Sequence, residues 1–99
     1  MGISPLPRRT EMGGYVGEVI DEVMVEREYQ DGDFAFLIQK IKWGTNGDSE
    51  TIRFAYYKKP HGTDESQYGY ANRAPSLDPD ALKELIKKAK RKPWFSSLI

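Results

Sequence analysis

The sequence predicts an α+β domain: four antiparallel strands followed by one helix packed on the sheet, in the order ββββα. Three observations predict it. Residues 34–43 and 50–59 are rich in aromatic and β-branched side chains, which suit a pleated surface. Asp31-Gly32 and Asn46-Gly47 bracket the first of these runs; such pairs are hairpin signals, because Gly accepts positive φ. Finally, Ser76-Leu77-Asp78-Pro79 opens a stretch whose apolar residues return every three or four positions, the period of a helix.

Residues 15–30, YVGEVIDEVMVEREYQ, carry two periods at once. Tyr15, Val16, Val19, Ile20, Val23 and Met24 recur at helical spacing. Four valines, one isoleucine and Gly17 are nevertheless poor helix formers, so the segment reads as a long first strand. Val19, Val23, Val25 and Tyr29 share one parity; Glu18, Glu22, Glu26 and Glu28 share the other. Asp21 is out of place, as in a bulged strand. Residues 34–43, FAFLIQKIKW, form the second strand, and residues 50–59, ETIRFAYYKK, the third. There Ile52, Phe54 and Tyr56 take one face, with Phe54 and Tyr56 read as core, while Arg53, Tyr57 and Lys59 take the other. After a polar loop through residue 67, residues 68–73 make a short fourth strand.

Asp78 caps the helix, Pro79 suits its first position, and Leu77 can staple onto Leu82. Leu82, Leu85, Ile86 and Ala89 form its apolar stripe, and Pro93 stops it. The apolar tail of Trp94, Phe95, Leu98 and Ile99 is expected to dock on the domain. Residues 1–13, with Pro5, Pro7, two arginines and a Gly pair, read as a disordered tail. Residues 14–99 then form a single nucleic-acid-binding domain, by the argument that follows.

Fifteen basic and fifteen acidic residues cancel over the 99-residue chain, but they are partitioned. Residues 11–33 carry eight acids against Arg27 alone, and residues 83–92 carry six bases against Glu84 alone. Local potential, not net charge, governs binding. The absence of cysteine removes disulfides, thiol catalysis and Cys-bearing zinc sites, and fits a reducing, cytoplasmic setting, with nucleoid association left open. No apolar run approaches the ~20 residues of a membrane span, and no signal peptide is visible at the start.

Catalytic signatures are missing. His61 is the sole histidine, the serines lack a nucleophile elbow, and residues 13–17 do not match a phosphate loop. Asp31, Asp33 and Asp48 do not follow calcium-loop spacing. The expectation is a binding protein without catalytic residues, cofactor or metal.

Cations interleaved with aromatics on adjacent strands point to the ligand. Lys40, Lys42 and Trp43 close the second strand; Arg53, Tyr56, Tyr57, Lys58 and Lys59 fill the third; Tyr68, Tyr70 and Arg73 follow. Single-stranded nucleic acid needs cations for its phosphates and ring faces for its unpaired bases. The candidate interface is Lys40, Lys42, Trp43, Arg53, Tyr56, Tyr57, Lys59, Tyr70 and Arg73. Aromatic residues suit any strand, so part of this set serves as core.

Over Glu18 to Lys88 the chain resembles the transcriptional positive-cofactor-four family of single-stranded-DNA-binding proteins, especially its compact bacterial members. The resemblance lies in the strand ending Ile41-Lys42-Trp43, the turn from Gly44 to Gly47, Ile52-Arg53 opening the next strand, and the Ser76-Leu77-Asp78-Pro79 helix start. It implies a curved four-stranded sheet backed by the helix, a homodimer, and single strands lying across the concave face. Lys42, Trp43, Arg53 and Arg73 would then inherit binding roles, and Tyr56 or Tyr57 would stand where the family often has Trp. The long loop after Lys59, the Trp94-Phe95 tail and the acidic first strand depart from the family. Two rival uses of the charge pattern remain. One is a protein-interaction module built on the acidic strand and lysine-rich helix; the other is duplex binding through helix 80–92.

Overall fold

A computed structural model of the chain describes residues 8–12, 14–44, 49–71 and 76–97. Strands β1 (Arg9–Met12), β2 (Tyr15–Tyr29), β3 (Gly32–Trp43), β4 (Ser49–Lys59) and β5 (Gly69–Ala71) precede helices α1 (Pro79–Ala89) and α2 (Pro93–Ser96). The strands form one antiparallel sheet in sequence order. The α+β class and the C-terminal helix are as expected, but the sheet has five strands instead of four. The extra one, β1, lies in the segment read as a tail. Its residues, RTEM, carry little strand signal; backbone pairing from Arg9↔Glu18 to Met12↔Tyr15 holds it. Residues 1–7 and 13 of that segment, the Asn46-Gly47 turn and Arg73 lie outside the described residues.

Residues 15–29 are a strand, and its register shifts between Val19 and Asp21. One inserted residue turns every later side chain to the opposite face. Val19 therefore sits opposite Ile41 on one side of the sheet, whereas Val23 and Val25 sit opposite Ile38 and Phe36 on the other. Simple parity, which grouped Val19 with Val23, fails at the bulge.

The helix-bearing face is the outer one. Its core joins Val23 and Val25 of β2, Phe36 and Ile38 of β3, Ala81, Leu85 and Ala89 of α1, and Phe95 of α2. Phe34, Phe36 and Tyr56 stack alongside, with ring centroids 5.9–6.0 Å apart. Asp78 caps α1 by accepting from the Ala81 N–H at 3.0 Å, and Tyr29 donates its hydroxyl to the same carboxylate. The buried stripe of α1 is Ala81, Leu85 and Ala89; Leu82, expected in it, is 43% exposed. The cause is the position of the helix, which lies mainly over β2. On that flank Glu84 accepts from Arg27 at 3.2 Å, and Lys88 donates to the Met24 carbonyl at 2.8 Å. At 100° per residue, Leu82 and Ile86 occupy the opposite flank, toward β4.

Pro93 does not stop α1, which ends at Ala89, but opens α2. The first half of the tail docks as expected: Phe95 is buried, and Trp94 donates its indole N–H to Asp21 at 2.8 Å; Leu98 and Ile99 lie outside the described residues. Lys92 reaches the same carboxylate at 3.1 Å. Burial opposes ionisation of Asp21, but the bonds from Trp94, Lys92 and the Glu22 N–H outweigh it and hold the carboxyl below its usual range.

The other face lies inside a curl. In sheet order β1 and β4 are separated by two strands, yet Arg53 Nη1 donates to Thr10 Oγ1 at 2.8 Å. Tyr68, beside β5, likewise donates to Glu26 of β2 at 2.9 Å. Only a strongly curled sheet brings such distant strands together.

Candidate nucleic-acid interface

Strand alternation divides the nine candidate residues. Trp43, Arg53, Tyr57, Lys59 and Tyr70 point into the curl; Lys40, Lys42 and Tyr56 share the outer face with Ile38 and Ile52. Arg73 is outside the described residues.

The inner group is largely consumed by its own neighbours. The Trp43 ring lies on Gly17, where an added Cβ would come within 2.7 Å of it; Gly is what allows this approach. Its indole donates to Thr51 Oγ1 at 2.7 Å. Arg53 donates twice to Gln39 Oε1, at 3.0 and 2.7 Å, and sits over the Tyr70 ring. Gln39, fully buried, donates to Glu22, and Glu22 accepts from Arg8. Tyr57 is 3% exposed, edge-on to Tyr70, and burial pushes its phenol pKa up. These side chains thus fill a polar and aromatic interior, and of the five inner candidates only Tyr70, at 49%, is well exposed.

Lys59 is buried in an ion pair with Asp33 at 2.8 Å. His61 Nδ1 is 2.8 Å from Asp33 Oδ1, and Nε2 is 3.3 Å from the Gln30 carbonyl. Both partners are acceptors, so the doubly protonated ring is favoured. The Asp33 bond first, then the Gln30 bond, raises the His61 pKa above 6.5. The Lys59 bond first, helped by His61 and the Gly62 N–H, holds Asp33 below 3.8.

Linkage fixes the signs. The His61 contribution to stability is present below its unfolded pKa and lost as pH rises through the raised folded value. The Asp33 contribution is present above its unfolded pKa and lost as pH falls through the lowered one. The cluster therefore stabilises most between about pH 4 and 6.5. His61→Gln is expected to lower the urea midpoint at about pH 6 and much less at about pH 8.5. An equal gap at both pH values would refute the assignment.

The outer face is open beside the helix. Phe54, read from its alternation as core, is 53% exposed, because α1 sits over β2 and leaves the β4 side uncovered. Ile52 and Tyr56 beside it are half-buried. Lys40 pairs with Glu50 at 3.3 Å. At the β1–β2 end an open groove of about 700 Å³ is lined by residues that include Arg8, Arg9, Tyr15, Val16, Glu18 and Lys42. Arg8 is held by Glu22 at 2.7 Å. Arg9 and Lys42 have no side-chain partner among the described residues. Tyr15 stands 70% exposed.

A second cleft, of about 430 Å³, lies between Lys40, Glu50, Thr51, Ile52 and Trp94. Of the groove and cleft residues only Lys40 and Lys42 were candidates from sequence; Arg9, Tyr15 and Trp94 are among those that were not. Arg9 fell in the supposed tail, Tyr15 in the ambiguous segment, and Trp94 in a tail read only as packing.

The charge partition is settled partly within one chain. Arg27–Glu84 at 3.2 Å and Lys92–Asp21 at 3.1 Å join the acidic strand to the lysine-rich C-terminal part. Among the described residues no three His, Cys, Asp or Glu side chains are grouped to hold a metal ion, and no helix is long and apolar enough to cross a membrane. Comparison with protein-family models, curated proteins and solved structures returns no match.

Proposed function

We propose that the protein binds single-stranded nucleic acid, DNA or RNA, without chemistry and with little sequence selection, as the resemblance to the positive-cofactor-four family implies. The reading places the site at the β1–β2 groove. Two cations carry it: Arg9 and Lys42 flank Glu18 on the outer face without a side-chain partner among the described residues, and the exposed Tyr15 ring, on the inner side with Gly17, borders the same groove. Cations track phosphates and the ring offers a stacking face. Lys40, two residues before Lys42 on the same face, extends the path along β3.

Titration of a fluorescent oligonucleotide at several salt concentrations tests this. Affinity is expected to fall with salt, with a log–log slope of about −0.7 per phosphate contacted. Lys42→Ala and Arg9→Ala should each weaken binding to every sequence and flatten that slope by about 0.7. A duplex competitor should displace the probe poorly, since its bases are hidden. No binding at low salt ends the proposal.

A homodimer is the second part of the reading, supported by the apolar side chains of Phe54 and Leu82, 53% and 43% exposed, on the side of the outer face that α1 leaves uncovered. Sedimentation should show self-association that Phe54→Asp abolishes while the circular dichroism spectrum stays unchanged. A wild-type chain monomeric at every concentration would remove the dimer and leave the groove.

A further inference from the structure

We infer that the cleft beneath Trp94 is a seat for one nucleobase of a bound strand. The inference rests on the nucleic-acid reading and gives it a specific contact. Lys42 lines the groove and Lys40 lines the cleft. They project from the same face of β3 two residues apart, about 7 Å along the strand. A single strand leaving the groove along β3 therefore meets the cleft next.

The cleft's volume of about 430 Å³ falls within the range of small-molecule sites. One wall is the Trp94 indole, which is fixed before any ligand arrives. Its N–H is tied to Asp21 at 2.8 Å, its ring meets Phe95 edge-on, and Asp21 is itself held by Lys92 and the Glu22 N–H. A ring already ordered loses little freedom on binding. Ile52 adds an apolar surface. The Lys40–Glu50 pair, 3.3 Å apart and partly exposed, supplies a donor and an acceptor at the rim.

A fixed aromatic plane beside a rim ammonium and carboxylate fits a flat heterocycle that carries acceptors and donors on its own edge. That describes a nucleobase, held by stacking and read at its edge.

The chain has two tryptophans, Trp43 and Trp94, and their indole N–H signals can be followed in the ¹⁵N-labelled full-length protein. The probes are oligo-thymidine and oligo-adenosine of about 12 nucleotides. The Trp94 indole signal is expected to shift on titration. Trp94→Ala should weaken binding about tenfold, the size of one lost stack, with the salt slope unchanged. Trp94→Phe, which keeps a ring, should recover most of that loss. Glu50→Ala, at an exposed side chain, should change the adenosine-to-thymidine preference about threefold or more, and it stands in if Trp94→Ala fails to fold.

If Lys42 and Arg9 signals move while the Trp94 indole stays still, or if neither Trp94→Ala nor Glu50→Ala alters binding, the base seat is refuted and the nucleic-acid reading survives. If no signal moves with either probe at low salt, both fall.

Discussion

Phe36→Ala is expected to lower stability by about 3–5 kcal/mol, while Phe54→Ala is expected to change it little. Both side chains lie on the outer face, on neighbouring strands, so sheet position alone would rank them together. Phe36 is 1% exposed; its ring meets those of Phe34 and Tyr56, and it belongs to the core closed by Ala81, Leu85 and Ala89. Truncation there removes buried apolar area and leaves a cavity that a sheet on one side and a helix on the other cannot collapse to fill. Phe54, 53% exposed, already meets water over half its surface. Folding free energies of small domains are about 5–15 kcal/mol, so Phe36→Ala consumes much of the margin.

Urea unfolding at low protein concentration reads both effects. The Phe36→Ala midpoint should fall sharply, and that of Phe54→Ala should stay near wild type. A comparable loss at Phe54 would show that this ring is covered in solution, and repeating the measurement at higher concentration would then show whether a second copy covers it.

The residues that disclosed the fold are those whose local chemistry and tertiary role agree. Gly32 has φ of 152°, and a Cβ there would come within 2.8 Å of the Lys59 carbonyl, so the Asp31-Gly32 signal is also a packing requirement. The β3 and β4 runs match the strand period, and Asp78 and Pro79 hold the cap and first-turn positions that their chemistry favours. β1 escaped notice because Arg-Thr-Glu-Met carries no apolar alternation and its partner is backbone. The bulge after Val19 was visible only as an Asp out of phase, whereas its effect, the reversal of every face after it, needs the register.

The candidate site was less legible for a geometric reason. Parity says which residues of one strand share a face, and it did place Arg53, Tyr57 and Lys59 together. It does not say whether that face is open. Curling of the sheet depends on contacts between strands distant in order, such as Arg53 with Thr10, and these have no local signature. The same limit applies to Phe54: its alternation marks an apolar face, while the lateral placement of α1 decides whether that face is covered. Lys59 reads as a surface cation until Asp33 is seen beside it in the interior.

Arg53→Ala is expected to destabilise the fold by about 1–3 kcal/mol while leaving the salt dependence of oligonucleotide binding unchanged. Its guanidinium supplies both bonds to Gln39 Oε1 and one to Thr10. Gln39 is fully buried, so its carbonyl would be left without a partner where water cannot replace one. β1 would lose a tie across the curl, and amide exchange in Arg9–Met12 should quicken. Arg53→Lys should not restore stability, since one ammonium does not reproduce the planar fork that reaches two acceptors. Arg53→Met combined with Gln39→Leu should recover part of it, because the Gln39 carbonyl and its donor disappear together, while Glu22 loses the Gln39 amide and keeps Arg8.

Binding separates the structural role from the contact role. A residue that touches phosphate flattens the salt slope by about 0.7 when removed; one that only supports the interior does not. If Arg53→Ala remains folded and flattens the slope as Lys42→Ala is expected to, the ligand enters the curl and the outer-face site is wrong. If the slope holds and the urea midpoint falls, the inner face is the scaffold on which the outer face stands.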